Sequence, residues 1–250
     1  MEDNIYKNRN FLKDYIRLET DFTKTDQNRG VNPPPIEKPF SKDARRITLS
    51  GPEDWPNIID PGLLTAIKER KSYRRFLDAS IDIEELSFLL WATQGLRKIS
   101  RTGVALRNVP SAGNRHAFET YLAVLNVEGL ERGIYRYLPL EHELIYEFSQ
   151  SGLSEKISAA TLGQAFAGTG SAVFIWTAIP YRMEWRYGNA AYKVIAIDIG
   201  HVCQNLYLAS KAVKCGTCAI AAYDQDLMDE LVQADGKEEF VIYLAPVGKV

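Results

Sequence analysis

The sequence predicts an α+β sandwich, a central mixed or antiparallel sheet with helices packed around it, and three observations predict it. Runs with helical apolar spacing and runs rich in β-branched and aromatic residues follow one another in mixed order. Two Tyr-rich strand candidates, "GIYRYL" and "ELIYEF", lie side by side in the middle of the chain and suggest a hairpin. Strict strand–helix–strand alternation is missing, which argues against a doubly wound sheet.

The elements follow in order. Residues 1–59 form a polar, Pro-containing arm ("VNPPPIEKPF", "SGPEDWPNI"), in which only Phe11, Leu12, Tyr15 and Ile16 keep helical spacing. A short helix and then an extended stretch, lying on the body or on a partner subunit, are expected there. Residues 60–250 carry the regular pattern of a folded domain. Asp60 as N-cap and Pro61 at the first helical position start a helix whose Leu63, Leu64 and Ile67 share a face and which ends near Arg70. Asp82 and Glu85 make a capping-box start for "IEELSFLLWATQG", with Leu86, Leu89, Leu90 and Thr93 on one face and Gly95 as the stop. "SEKISAATLGQAFA" repeats the helical spacing. The proline-free stretch 189–214 reads as the largest helix, apolar on more than one side and so central or at a dimer interface, with Gly216 as its left-handed terminator. The remaining strands are expected in "TYLAVLNV", "AVFIWTAI", "CAIAAY" and "FVIYLAPV".

Composition narrows the function. With 250 residues, 46% of them hydrophobic, the chain can bury a substantial core. A net charge of −2 and a pI near 6.0 argue against nucleic-acid or membrane-surface binding, which calls for a broad basic excess. No apolar run approaches the roughly 20 residues that span a bilayer, and "MEDNIYKNRN" lacks the apolar core of a signal peptide. Three cysteines are too few for a disulfide framework and suit a reducing cytoplasm.

Several motifs fail on context. The glycines of "GQAFAGTGSA" close a helix and precede a strand, the reverse of a dinucleotide fingerprint. "CGTC" follows a helix C-terminus, whose partial negative charge raises thiol pKa values, so a redox dithiol is disfavoured. His201 and Cys203 are two apart on a helix and point to different faces, so a zinc site with Cys215 and Cys218 is disfavoured too; no metal is expected. His116, His142 and His201 have no nucleophile elbow nearby.

"ERKSYRRF" is the informative segment. Arg70, Lys71, Arg74 and Arg75 surround Ser72 in a chain of almost balanced charge. A solvated run is one reading; a dianionic phosphate is the other. Further segments could serve a phosphate-bearing cofactor: the small-residue loop "VPSAGNRH", the tiny side chains of "CAIAAYD" against which a flat ring could lie, "WRYGNAAYK", and the terminal "PVGKV".

These segments together resemble the nitroreductase-like FMN oxidoreductase superfamily, and more closely its SagB-type dehydrogenase branch. The resemblance covers roughly residues 60–250. It rests on "ERKSYRRF", "LLWATQG", "PSAGNRH", "VEGLERGIYRYLPLEHEL", "DIGHVCQNLYLAS" and "APVGK" in that order. It implies a homodimer with FMN at the subunit interface, contacted by both chains. By position, Arg70 and Ser72 would bind the FMN phosphate, Lys71 the phosphate or ribityl chain, and Arg74 the polar edge of the ring. Pro110, Ser111 and Asn114 resemble the loop that reaches the flavin from the other subunit. Ala219, Ile220, Ala221 and Ala222 match the strand whose backbone amide faces flavin N5, and Lys249 resembles the terminal phosphate cation. Azoline-oxidising relatives carry a Lys-Tyr pair over the flavin; the matching positions here are Arg186 and Tyr187. Arginine stays protonated, so Tyr187 or the flavin would take the proton, or Arg186 would grip an anionic substrate. The resemblance leaves three readings: a dehydrogenase acting on a small or modified-peptide substrate, an NAD(P)H-dependent nitro or quinone reductase, and a flavin-binding partner subunit without turnover.

Overall fold

The computed structural model describes residues 2–101 and 103–250. In chain order these form helices α1 (Glu2–Leu12) and α2 (Tyr15–Glu19), strand β1 (Arg46–Thr48), helices α3 (Leu63–Glu69) and α4 (Ile83–Gln94), and strands β2 (Leu96–Ile99), β3 (Ala105–Arg107), β4 (Phe118–Val124), β5 (Gly133–Leu138) and β6 (Glu143–Phe148). Then come α5 (Leu153–Ala160), β7 (Ala172–Ala178), α6 (Tyr181–Tyr187), α7 (Ala191–Ala209), β8 (Cys215–Thr217), α8 (Gln225–Val232) and β9 (Phe240–Lys249).

Seven strands make one sheet in the order β1-β6-β5-β4-β7-β9-β8, with every ladder antiparallel. The β5–β6 hairpin is the predicted one. Strands β4 and β7 are buried at every residue, as near-continuous apolar runs require. Successive side chains therefore serve two layers. Leu122, Phe174 and Trp176 meet α4 and α7 through Leu86, Leu90, Ile195 and Leu206, whereas Ala123, Val173 and Ile175 meet α5 and α8 through Ile157, Met228 and Leu231. The α+β sandwich of the sequence reading is the observed fold. None of the helices among the described residues is long and apolar enough to cross a membrane.

Local chemistry explains the agreements and the departures. Asp82 accepts the Glu85 amide at 2.8 Å and Glu85 accepts the Asp82 amide at 3.1 Å, the predicted capping box of α4. The helix expected from Pro61 starts two residues later: Asp60 Oδ1 accepts the Gly62 amide at 2.8 Å, and Gly62 turns the chain at φ +72°. Gly216 does not end the largest helix. Lys214 takes the left-handed turn, at φ +51°. Gly216 is needed for space instead, because a Cβ there would stand 2.5 Å from the Tyr73 ring. The strand expected in "CAIAAY" lies upstream, as β8, with only Ile220 keeping a bridge, to Leu244. The N-terminal segment is unevenly attached. Its β1 pairs with β6, and the Val31 carbonyl accepts Trp185 Nε1 at 2.9 Å, but α2 buries no residue.

Candidate active site

After α3 the chain runs beside β8. Ser72 bridges Thr217, the Tyr73 amide donates to the Thr217 carbonyl at 3.0 Å, and the Leu77 amide donates to the Lys249 carbonyl at 2.9 Å. Glycines make room for this approach: a Cβ at Gly248 would lie 3.1 Å from Phe76, much as one at Gly216 would strike Tyr73. The two aromatic residues of "ERKSYRRF" thus anchor the segment, while Arg70, Lys71, Ser72, Arg74 and Arg75 stay exposed. Among the described residues none of the four cations has a carboxylate partner, and neighbouring Glu69 is held by Lys211 at 3.3 Å. Their contacts are ring faces instead: Arg70 over Tyr207, Lys71 over Tyr73 and Arg74 over Phe166.

Tyr207, on α7, lies within the motif "DIGHVCQNLYLAS", which assigns it no role. Its hydroxyl lies 2.9 Å from Ser72 Oγ and accepts the Ala219 amide at 2.9 Å. It therefore joins the phosphate-candidate serine to the stretch 219–222. The available signal was a phenol in an apolar helix, which has to place its hydroxyl somewhere. Within that stretch the Ile220 amide donates to Leu244 at 2.8 Å, and the exposed Ala221 and Ala222 amides donate no hydrogen bond among the described residues. Thr217 buries a hydroxyl that is likewise unpartnered. Lys249 differs: its ammonium is bonded to the Glu85 carboxylate and, at 3.0 Å, to the Val213 carbonyl.

A second group surrounds the turn 110–116. The Ala112 amide donates to Asp198 Oδ2 on α7 at 3.0 Å, and the His116 amide donates to Ser111 Oγ at 3.0 Å. Burial raises the Asp198 carboxyl, against the bonds from Ser111 and Ala112. Gly113 sits at φ +58°, and a Cβ there would stand 2.7 Å from Tyr187 Oη and 2.8 Å from Arg186 Nε. Arg186 and Tyr187 are therefore directly against the loop of Ser111 and Asn114. Pro110 and Asn114 are exposed at its rim.

One chain does not bring the two groups together. Asp198 and Tyr207 mark their positions on α7 and are about 13 Å apart along its axis at roughly 1.5 Å per residue. The outer face of α7 is bare around Asp198: Ile197 and the His201 side chain are about half exposed, and a Cβ at Gly200 would meet nothing. The three thiols lie inside, with burial pushing Cys203 and Cys215 up to about 12.

The nitroreductase family profile matches residues 67–249. The chain belongs to the nitroreductase family. It is 28% identical over 194 residues to MJ1384 of Methanocaldococcus jannaschii, a nitroreductase by name, covering 78% of this chain and 94% of that one. It is 34% identical over 117 residues to the trifolitoxin-processing protein TfxB of Rhizobium leguminosarum bv. trifolii, covering 44% of this chain and 31% of that protein. Among solved structures, a nitroreductase from Anabaena variabilis is similar with a TM-score of 0.68 and 24% identity, over 83% of this chain and 42% of that one. The Escherichia coli microcin synthetase McbBCD complex with truncated pro-MccB17 bound is similar with a TM-score of 0.61 and 18% identity, over 78% and 76%. The family member described here thus spans less than half of the Rhizobium and Anabaena chains.

Proposed function

We propose that this protein is an FMN-dependent oxidoreductase of the SagB-type branch, acting on a small or peptide-derived substrate as a homodimer. The observation that carries the reading is the set of exposed cations without acid partners around Ser72, beside the free amides of Ala221 and Ala222. A phosphate near −2 charge requires several charge-assisted bonds, each about 1.5–3 kcal/mol. Arg70, Lys71 and Ser72 would hold it, Arg74 the polar edge of the ring, and residues 219–222 the ring itself. Tyr207 keeps Ser72 and Ala219 in register. Lys249 would join the phosphate set only by giving up Glu85.

Bound FMN supplies the hydride chemistry. The chain's own residues bind, orient and shield. The Arg186 guanidinium would hold negative charge on the substrate, while Tyr187 is the group beside it that can hold or move a proton. The bare face of α7 supports a dimer, because a second copy packed there would bring its Pro110, Ser111 and Asn114 toward the cationic group. The names of TfxB and of the McbBCD complex support a peptide-derived substrate. The name of MJ1384 supports the second reading, an NAD(P)H-dependent nitro or quinone reductase.

The purified protein should be yellow, sediment as a dimer, and bind FMN at least about tenfold more tightly than riboflavin, since the phosphate bonds are missing from the latter. Equal affinities would overturn the phosphate assignment, and a monomer with full FMN occupancy would overturn the shared site. Rapid bleaching of the visible band by NADPH selects the reductase, and return of the band coupled to a heterocyclic substrate selects the dehydrogenase. Bound flavin inert to both marks a partner subunit without turnover.

A further inference from the structure

A cavity of about 280 Å3 lies between the N-terminal arm, the turn 113–116 and the end of α6. Gln27, Pro33, Pro34 and Ile36 line it from the arm, and Arg115, His116, Trp185 and Arg186 from the body. It is near the small end of ligand pockets, which span roughly 300–1,000 Å3. Among the described residues two guanidiniums line it and no carboxylate does. His116 is 2% exposed, and its Nε2 has no hydrogen-bond partner among the described residues. The pocket therefore combines two cations, Arg115 lying over the Trp185 ring, with the apolar Pro33, Pro34 and Ile36 of the arm, and holds an unused polar nitrogen in its wall.

We propose that this cavity binds a carboxylate, and that it receives the acid end of the substrate. The substrate part of this inference rests on the oxidoreductase reading above. Guanidinium forks match planar carboxylates. Arg186 still has nitrogens to offer beyond the Nη1 that donates to Gln27 at 3.1 Å, and Arg115 has its terminal nitrogens beyond the Nε that donates to the Arg182 carbonyl at 3.3 Å. The Pro33, Pro34, Ile36 and Trp185 surfaces suit an organic acid better than inorganic phosphate, whose remaining oxygens would face apolar wall. Burial first, then Arg186 and Arg182, already depresses the Arg115 guanidinium, a strain that a bound anion relieves. The location fits the role, because Arg186 lines the cavity and touches the same Gly113 turn as Tyr187.

Calorimetry on the full chain tests this with sodium benzoate, benzamide and inorganic phosphate at constant ionic strength. Benzoate should bind saturably, at least about tenfold more tightly than benzamide, because only the acid engages the guanidiniums. Arg115→Gln should lower benzoate affinity about tenfold or more, and Ile36→Trp should abolish binding by filling the space with the charges intact. In flavin-loaded protein, benzoate should shift the visible band. No saturable benzoate binding, equal binding of benzamide, or tighter binding of phosphate overturns the carboxylate site. Binding without a band shift overturns its role toward substrate. Turnover is not the readout, so a benzoate-binding protein without flavin chemistry would sink the oxidoreductase reading alone, and an active protein blind to benzoate would sink the acid site alone.

Discussion

Arg136 and Arg182 lie buried against one carboxylate, Glu119, while Arg70, Lys71, Arg74 and Arg75 lie exposed with none among the described residues. Glu119 accepts from Arg182 and from the Lys38 amide at 2.8 Å, and lies 3.5 Å from Arg136, which also holds Glu147 at 2.8 Å. Charges inside a protein must be matched by the fold itself, since desolvation penalises any that are not. Exposed cations carry no such penalty and remain available to a ligand. Counting arginines finds both regions equally; asking which of them lack an acid separates the structural cluster from the candidate site.

The comparison breaks most visibly at Glu119. Glu119→Gln leaves two buried guanidiniums without their shared counter-charge and should cost about 3–5 kcal/mol in chemical denaturation. A loss under about 1 kcal/mol would mean that water reaches the cluster. Arg70→Ala should show the opposite pattern. Stability should stay within about 0.5 kcal/mol, as for most surface changes, while FMN affinity falls about one to two decades. A stability loss with unchanged affinity would move Arg70 into the structural class.

This division also explains what was legible in the sequence. The capping box of α4, the β5–β6 hairpin and the buried β4 and β7 were readable because each depends on local spacing. So was the grouping of cations at 70–75. Tyr207 was not, because its partners Ser72 and Ala219 are assembled by tertiary contact. β8 was misplaced because the small residues 219–222 look like a strand, yet the paired stretch is Cys215–Thr217. β1–β3, α6 and α8 were missed: the first three are short and partly polar, and α6 hid within a segment read only for its cations and aromatics. The engagement of Lys249 by Glu85 joins residues at opposite ends of the domain and no local pattern announces it.

Glu37 gives a smaller effect, read by pH. Burial first, then repulsion from Glu141, raises its carboxyl from 4.5 to about 7. The folded chain therefore holds this proton more tightly than the unfolded chain does. Its contribution is fully present below about pH 4.5 and is lost as pH rises through about 7. Melting temperature should fall across that window by the equivalent of about 1–3 kcal/mol, and Glu37→Gln should flatten the profile. An unchanged profile in the variant would assign the pH dependence to another group.

Lys249 tests the boundary between the two classes, because it is a cation expected at the phosphate yet already paired in the fold. Lys249→Met should cost about 1–2 kcal/mol of stability, since the pair with Glu85 is only partly exposed. Its effect on FMN should be weaker than that of Arg70→Ala, about two- to fivefold, because any bond to phosphate is made at the expense of the one to Glu85. Glu85→Gln sharpens the point. The amide oxygen can still accept the Asp82 N–H and preserve the cap, but the ammonium is released from its counter-charge, so FMN affinity should rise by about two- to threefold. If neither substitution moves FMN affinity, Lys249 is a structural partner of α4 and leaves the phosphate set. If Glu85→Gln weakens binding instead, the Glu85 carboxylate is what aims Lys249 at the ligand.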